Sequence, residues 1–111
     1  MSNWESVHTE QRGDFTIQFS ITPEDDDPAG HFASGDDAAD AETVRKIHDG
    51  TYLWFVARVT ASKAGVELAE DYLGGCCYKS AREFMQPGGY YDDMVTEAVT
   101  RAATKLEELS Q

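Results

Sequence analysis

Basic residues are scarce in this sequence. Nine Lys and Arg face 21 Asp and Glu, so the formal net charge is −12 at pH 7. Such a field repels anionic membrane surfaces and steers basic partners inward. It also argues against direct nucleic-acid binding, because Lys and Arg contacts to phosphate supply much of that affinity. Long apolar runs are missing as well. The longest is Leu53–Ala57, against the roughly 20 residues that a membrane span requires. The opening MSNWESVHTEQRGD has neither a basic n-region nor an apolar h-region, so no secretory signal is expected. Cysteine is limited to the adjacent Cys76 and Cys77, which form no disulfide framework. A cytoplasmic, reducing compartment of a host cell is the expected setting.

The residues that carry chemistry are equally sparse. His8, His31 and His48 have no second His or Cys at metal-ligand spacing. Cys76 and Cys77 would point to opposite faces of an extended backbone, which opposes joint chelation. The run Asp25-Asp26-Asp27 lacks the spacing of an EF-hand loop, and Gly74-Gly75 and Gly88-Gly89 fit neither a dinucleotide fingerprint nor a P-loop. No catalytic residue, metal or cofactor is assigned, and the chain reads as non-enzymatic.

What the sequence does have is strong patterning over a length, 111 residues, that suits one domain. The stretch Thr51–Ala61 organises the rest. With a period of two it places Leu53, Phe55, Ala57, Val59 and Ala61 on one side and Tyr52, Trp54, Val56, Arg58 and Thr60 on the other. Asp14–Thr22 alternates as cleanly, with Phe15, Ile17, Phe19 and Ile21 inward, and Pro23 ends it. After the turn-like Ser62–Gly65, Val66, Leu68 and Tyr72 predict a hairpin partner for the central strand. A bulge at Gly74-Gly75 is preferred to a separate fourth leg, because that leg would be too short.

Helices are expected in three places. Asp36–His48 has acids early and bases late, as the helix dipole favours, and Gly50 follows. Ser80-Ala81-Arg82-Glu83 fits a capping box for a short helix to Met85. Tyr90–Leu109 carries a 3.6-period stripe of Tyr91, Met94, Val95, Ala98, Val99, Ala102, Leu106 and Leu109. The expected fold is therefore α+β: a three-stranded antiparallel meander, an acidic helix between strands 1 and 2, and a long C-terminal helix on one sheet face. Residues 1–13 read as a loosely ordered lead-in, with Trp4 able to fold back on the domain.

Two surfaces attract a functional reading. Residues 1–49 hold twelve acids and three bases, and residues 50–111 hold nine and six. Asp25, Asp26, Asp27, Asp36, Asp37, Asp40 and Glu42, with Glu24, form the acidic group that could meet Arg and Lys sites normally holding phosphates. Half of these acids are equally accounted for by helix N-terminal stabilisation. The second surface is the outer side of the central strand, with Tyr52 and Trp54 as interface anchors; cover by neighbouring elements is expected more than exposure.

Taken together, HDGTYLWFVARVTAS, AGVELAEDYLGGCCYKS and GGYYDDMVTEAVTRAATKLEEL resemble stretches of small phage- or mobile-element-borne proteins. In size, acidity and lack of catalytic residues the chain is similar to anti-CRISPR and anti-restriction inhibitors. The resemblance implies binding to a host defence complex that handles nucleic acid, in some cases by imitating nucleic acid, and marks no individual residue. The expected partner is the basic surface of a host protein or nucleoprotein complex, with no membrane and no direct nucleic-acid contact. The alternative is a generic or self-associating module, homodimeric through the Tyr52 and Trp54 face.

Overall fold

The computed structural model describes residues 4–28 and 37–110. Its sheet has four antiparallel strands in meander order: β1 (Glu5–Arg12), β2 (Phe15–Pro23), β3 (Leu53–Lys63) and β4 (Val66–Tyr78). Helix α1 (Asp37–His48) lies between β2 and β3 in the chain, and α2 (Ala81–Phe84) and α3 (Tyr90–Leu109) follow the sheet.

The three-stranded expectation, with residues 1–13 as a loose lead-in, is corrected by β1. It pairs with β2 from Glu5↔Ile21 to Arg12↔Phe15, with a bulge between Ser6 and His8. Two features hid it. Its sequence ESVHTEQR has no apolar side, and the bulge breaks what alternation there is. The one local signal was the Gly13-Asp14 pair, which forms the turn with Gly13 at φ 58. A positive φ at the first central residue is the type II′ pattern that suits the twist of a hairpin.

Core formation follows the alternation in β2 and β3. Ile17, Phe19, Ala57, Val59 and Ala61 are all at 0% exposure, and their register neighbours, such as Phe19↔Val59 and Ile17↔Ala61, form the packed floor. Helix α3 lies on β3 and β4 and contributes buried Tyr91, Met94, Val95, Ala98 and Ala102. The two alanines have no exposed surface, so the helix backbone approaches the sheet closely. Leu109, at the end of the predicted stripe, is 62% exposed because the last turn runs past the packed surface. Phe84 of α2 fills the remaining corner, with ring centroids 5.4 Å from Phe19, 5.7 Å from Phe55 and 5.1 Å from Tyr78. Burying a ring of this size in contact with three others stabilises by several times the net value of one hydrogen bond.

The capping box before α2 forms in modified shape. Ser80 Oγ accepts from the Glu83 backbone N–H at 3.1 Å, while the Glu83 carboxylate accepts from the Lys79 N–H, one residue upstream of the expected one. The Gly74-Gly75 bulge is present: β4 spends both residues between Leu73↔Ala57 and Cys76↔Phe55, opposite Val56 alone. As the sequence implied, Cys76 turns into the core and Cys77 away from it. Helix α1 contributes no residue to the buried core. Its last turn is tied to the start of the sheet by the Tyr52 N–H, which donates to the Lys46 carbonyl at 3.0 Å.

The edge strand β1 presents polar side chains to the inner side of the sheet. Glu10 accepts from the Tyr91 hydroxyl at 3.0 Å and meets Arg12 at 3.1 Å and His8 at 3.5 Å. Charged groups turned inward on an edge strand discourage edge-to-edge aggregation. Burial pushes the Glu10 carboxyl up, but Tyr91, Arg12 and His8 together outweigh it and hold it below its usual value. The same contact, together with burial, pushes the Tyr91 hydroxyl up.

A carboxyl held low in the folded state contributes stability that is full above its unfolded value near 4.5 and lost as the pH falls through the folded value. Replacing Glu10 with Gln is therefore expected to flatten the loss of stability between neutral and acid pH, read from urea unfolding at a series of pH values. Tyr91→Phe is expected to cost about 1 kcal/mol at neutral pH. The β3–β4 turn yields a second expectation. Ala64 and Gly65 sit at φ 54 and φ 80, the pattern of a type I′ hairpin, in which Asn-Gly is favoured. Ala64→Asn is expected to raise the urea midpoint by roughly 1 kcal/mol equivalent with an unchanged slope.

Candidate functional site

Both helices packed on the sheet use the side that holds Phe19 and Phe55. The opposite face is left to its own side chains and to the segment after β2. Alternation places Trp54, Val56, Arg58 and Thr60 there from β3, and the register sets Cys77, Tyr72 and Glu70 beside them from β4.

The centre of this outer face is closed by Trp4. Its ring centroid lies 4.3 Å from the Arg58 guanidinium carbon and 5.9 Å from the Tyr72 ring. A guanidinium stacked on indole gains both dispersion and cation–π attraction. Ser20, the register partner of Arg58, would face water by alternation and is only 2% exposed. Arg58 Nε is buried and has no hydrogen-bond partner among the described residues, so the stack on Trp4 is what holds that side of the guanidinium. The Tyr72 hydroxyl donates to Glu70 at 2.8 Å. Burial and the neighbouring Glu70 push the Glu67 carboxyl up, with Arg58 offsetting only part of this.

Toward the end of β2 the face opens into a groove of about 500 Å³. Its floor is the cross-strand pair Thr22↔Val56, and Trp4, Pro23, Glu24 and Asp25 line its sides. The acidic segment is drawn onto the sheet by two hydrogen bonds. The Glu24 N–H donates to the Trp54 carbonyl at 3.1 Å, and the Trp54 indole N–H donates to the Asp26 carbonyl at 2.8 Å. The Glu24 carboxylate then reaches across β3 to lie over Gly74, where an added Cβ would stand 3.5 Å from Oε2.

These positions redistribute the residues singled out by sequence. Asp25, Asp26 and Asp27 are exposed beside the groove, and the structure brings them to the same face as Trp54. Asp36, His31 and the side chain of Asp37 lie outside the described residues. Asp40 and Glu42 are half-buried on α1, and Glu42 pairs with Arg45 one turn on, so part of the acidic charge is used within the helix. Trp54 is half-buried with its indole N–H engaged. Tyr52 is half-buried with the Lys46 ammonium 5.5 Å from its ring, so neither aromatic is fully covered or fully exposed. Sequence reasoning did not assign Trp4, Arg58, Tyr72 and Glu67 to a common site. The alternation of β3 did mark Arg58 as outward; what was missing was the fourth strand that carries Trp4 back over it.

Both thiols sit in surroundings that disfavour the thiolate. Burial pushes Cys76 up to about 11, and its Sγ–H donates to the Leu73 carbonyl at 3.3 Å. Burial and Glu83 push Cys77 up as well. Nucleophilic chemistry requires the thiolate, which such surroundings disfavour. Among the described residues no three metal-ligating side chains converge, and no helix is long and apolar enough to cross a membrane.

The raised Glu67 carboxyl marks partial desolvation and repulsion by Glu70 that the folded chain tolerates. A carboxyl whose folded value lies above its unfolded one weakens the fold when ionised, fully so above the folded value, and has no effect once protonated in both states. Glu67 is exposed, so solvent screens much of this, and Glu67→Gln is expected to raise stability at neutral pH by at most about 0.5 kcal/mol, or up to roughly 2–4 °C in Tm. The gain should vanish in acid. Thermal melts at neutral and acid pH check both the sign and its disappearance.

Comparison with known proteins leaves the geometry to stand on its own terms: no protein-family model matches the chain, and no curated protein or solved structure is significantly similar to it.

Proposed function

We propose that this chain is a non-catalytic binding protein of the phage-inhibitor type, whose acidic N-terminal half docks on the basic surface of a host protein that handles nucleic acid. The observation that carries this reading is the placement of Glu24, Asp25 and Asp26 along the rim of the sheet face opposite α3, next to Trp4 and Val56. Carboxylates fixed at a rim around apolar groups match the usual anatomy of an interface, with charge outside and aromatic or aliphatic groups within. A net charge of −12 raises the encounter rate with a basic target and lowers it with nucleic acid. The likeness in type to anti-CRISPR and anti-restriction inhibitors supplies the class of target.

The alternative, self-association through Tyr52 and Trp54, is less favoured because both aromatics are engaged within the chain, with Lys46 and Asp26 respectively. Trp4, itself stacked on Arg58, and Val56 are the apolar groups that line the groove instead.

Immobilised protein, exposed to host lysate, tests the proposal when compared with the Asp25→Asn, Asp26→Asn, Asp27→Asn triple variant. Three rim charges worth about 0.5 kcal/mol each predict a loss of affinity of roughly tenfold. Retention should also weaken as salt is raised from about 50 to about 300 mM, where the Debye length falls below the spacing of exposed charges. A retained target that responds to neither change would overturn the charge mechanism. A second copy of the chain as the sole retained species would favour self-association.

A further inference from the structure

We infer that the groove over Thr22 and Val56 is a slot for a partner's arginine side chain, presented on an extended segment, with the guanidinium between Glu24 and Asp25 and the aliphatic stem against Val56 and Trp4. This rests on the proposal above that the partner is basic, and it names the side chain and the place.

Four observations converge on this occupant. The groove is open and about 500 Å³ in volume, so it admits a long side chain without rearrangement of the sheet. Its lining is divided: an aliphatic floor at Val56, an indole at Trp4 and carboxylates at Glu24 and Asp25. An arginine is likewise divided, with an apolar stem and a weakly hydrated planar cation at its tip. Next, the Trp4 ring is held on the sheet by the Arg58 guanidinium at 4.3 Å, so the indole that lines the groove is already positioned to meet an aliphatic stem. Finally, the Glu24 backbone is held to the sheet by its N–H bond to the Trp54 carbonyl, and its carboxylate lies over Gly74 on the face that carries Val56. A cation beside it gains a charge-assisted hydrogen bond.

The same lining argues against other occupants. A phosphate or an anionic ligand would meet two carboxylates. A purely apolar side chain would leave them desolvated without a partner, which is costly. Lysine would satisfy the charge, but it is a compact, strongly hydrated cation that cannot form the planar fork or stack on indole as arginine does.

The test uses the full chain and blocked tripeptides, acetyl-Gly-Arg-Gly-amide and acetyl-Gly-Lys-Gly-amide, followed by the indole N–H resonances of the two tryptophans. The arginine peptide is expected to shift the Trp4 resonance saturably at millimolar concentration, with the lysine peptide at least threefold weaker. Val56→Lys places a cation in the slot and should weaken the arginine peptide at least fivefold. Gln18→Lys adds the same charge at an exposed position on β2 and should change binding less than twofold. Should Val56→Lys fail to fold, judged by its thermal melt, Glu24→Gln with Asp25→Asn serves in its place with the same expected loss. Equal response to the two peptides, equal effects of Val56→Lys and Gln18→Lys, or no saturable shift would each overturn the slot. In lysate capture, a target lost by the Asp25–Asp27 variant but retained by Val56→Lys would sink the slot and leave the broader reading. A slot that binds the peptide while no basic target is captured would do the reverse.

Discussion

A single long helix covers this sheet, and it can cover one face only. By burying Tyr91, Met94, Val95, Ala98 and Ala102 against β3 and β4, α3 commits Phe19, Phe55 and Val59 to the inside. Alternation then commits Trp54, Val56 and Arg58 to the outside. Slipping β3 by one residue would reverse both sets. The close approach allowed by two alanines, and the tie from Arg101 to Asp71 at 2.8 Å, thus decide which face of the sheet the helices leave uncovered.

That free face is managed by two devices built from the chain's own ends and loops. Trp4, immediately before β1, lies over Arg58. The segment after β2 is pulled down by the Trp54 indole, which brings Glu24 across to the glycines of the β4 bulge. A bulge adds local twist and leaves a residue unpaired. Here Gly74 lies under the Glu24 carboxylate, with Oε2 3.5 Å from where a Cβ would stand. The groove exists because these two covers stop short of each other over Thr22 and Val56.

The charge asymmetry of the sequence acquires a location in this arrangement. Part of the acidic half is neutralised locally, by Arg45 on Glu42 and by Arg12 and His8 on Glu10. The run from Glu24 to Asp27 follows β2, with Glu24, Asp25 and Asp26 beside Trp4 and Val56 on the outer sheet face. Charge at such a rim governs encounter and register more than net affinity.

The alternation of Phe15–Ile21 and Leu53–Ala61, the 3.6-period stripe of Tyr90–Leu109, the Ser80 cap and the bulge at Gly74-Gly75 were all legible in the sequence. Each is set by local sterics and by the period at which apolar side chains recur. The edge strand β1 was not, because a polar strand is defined by the backbone groups of its neighbour and not by any pattern of its own. For the same reason the sequence pointed to Tyr52 and Trp54, the large aromatics of the central strand, while tertiary structure assigned the groove to Trp4, Val56 and Glu24. Those three lie far apart in the chain and meet only through strand register, and register is a relation between segments that no single segment encodes.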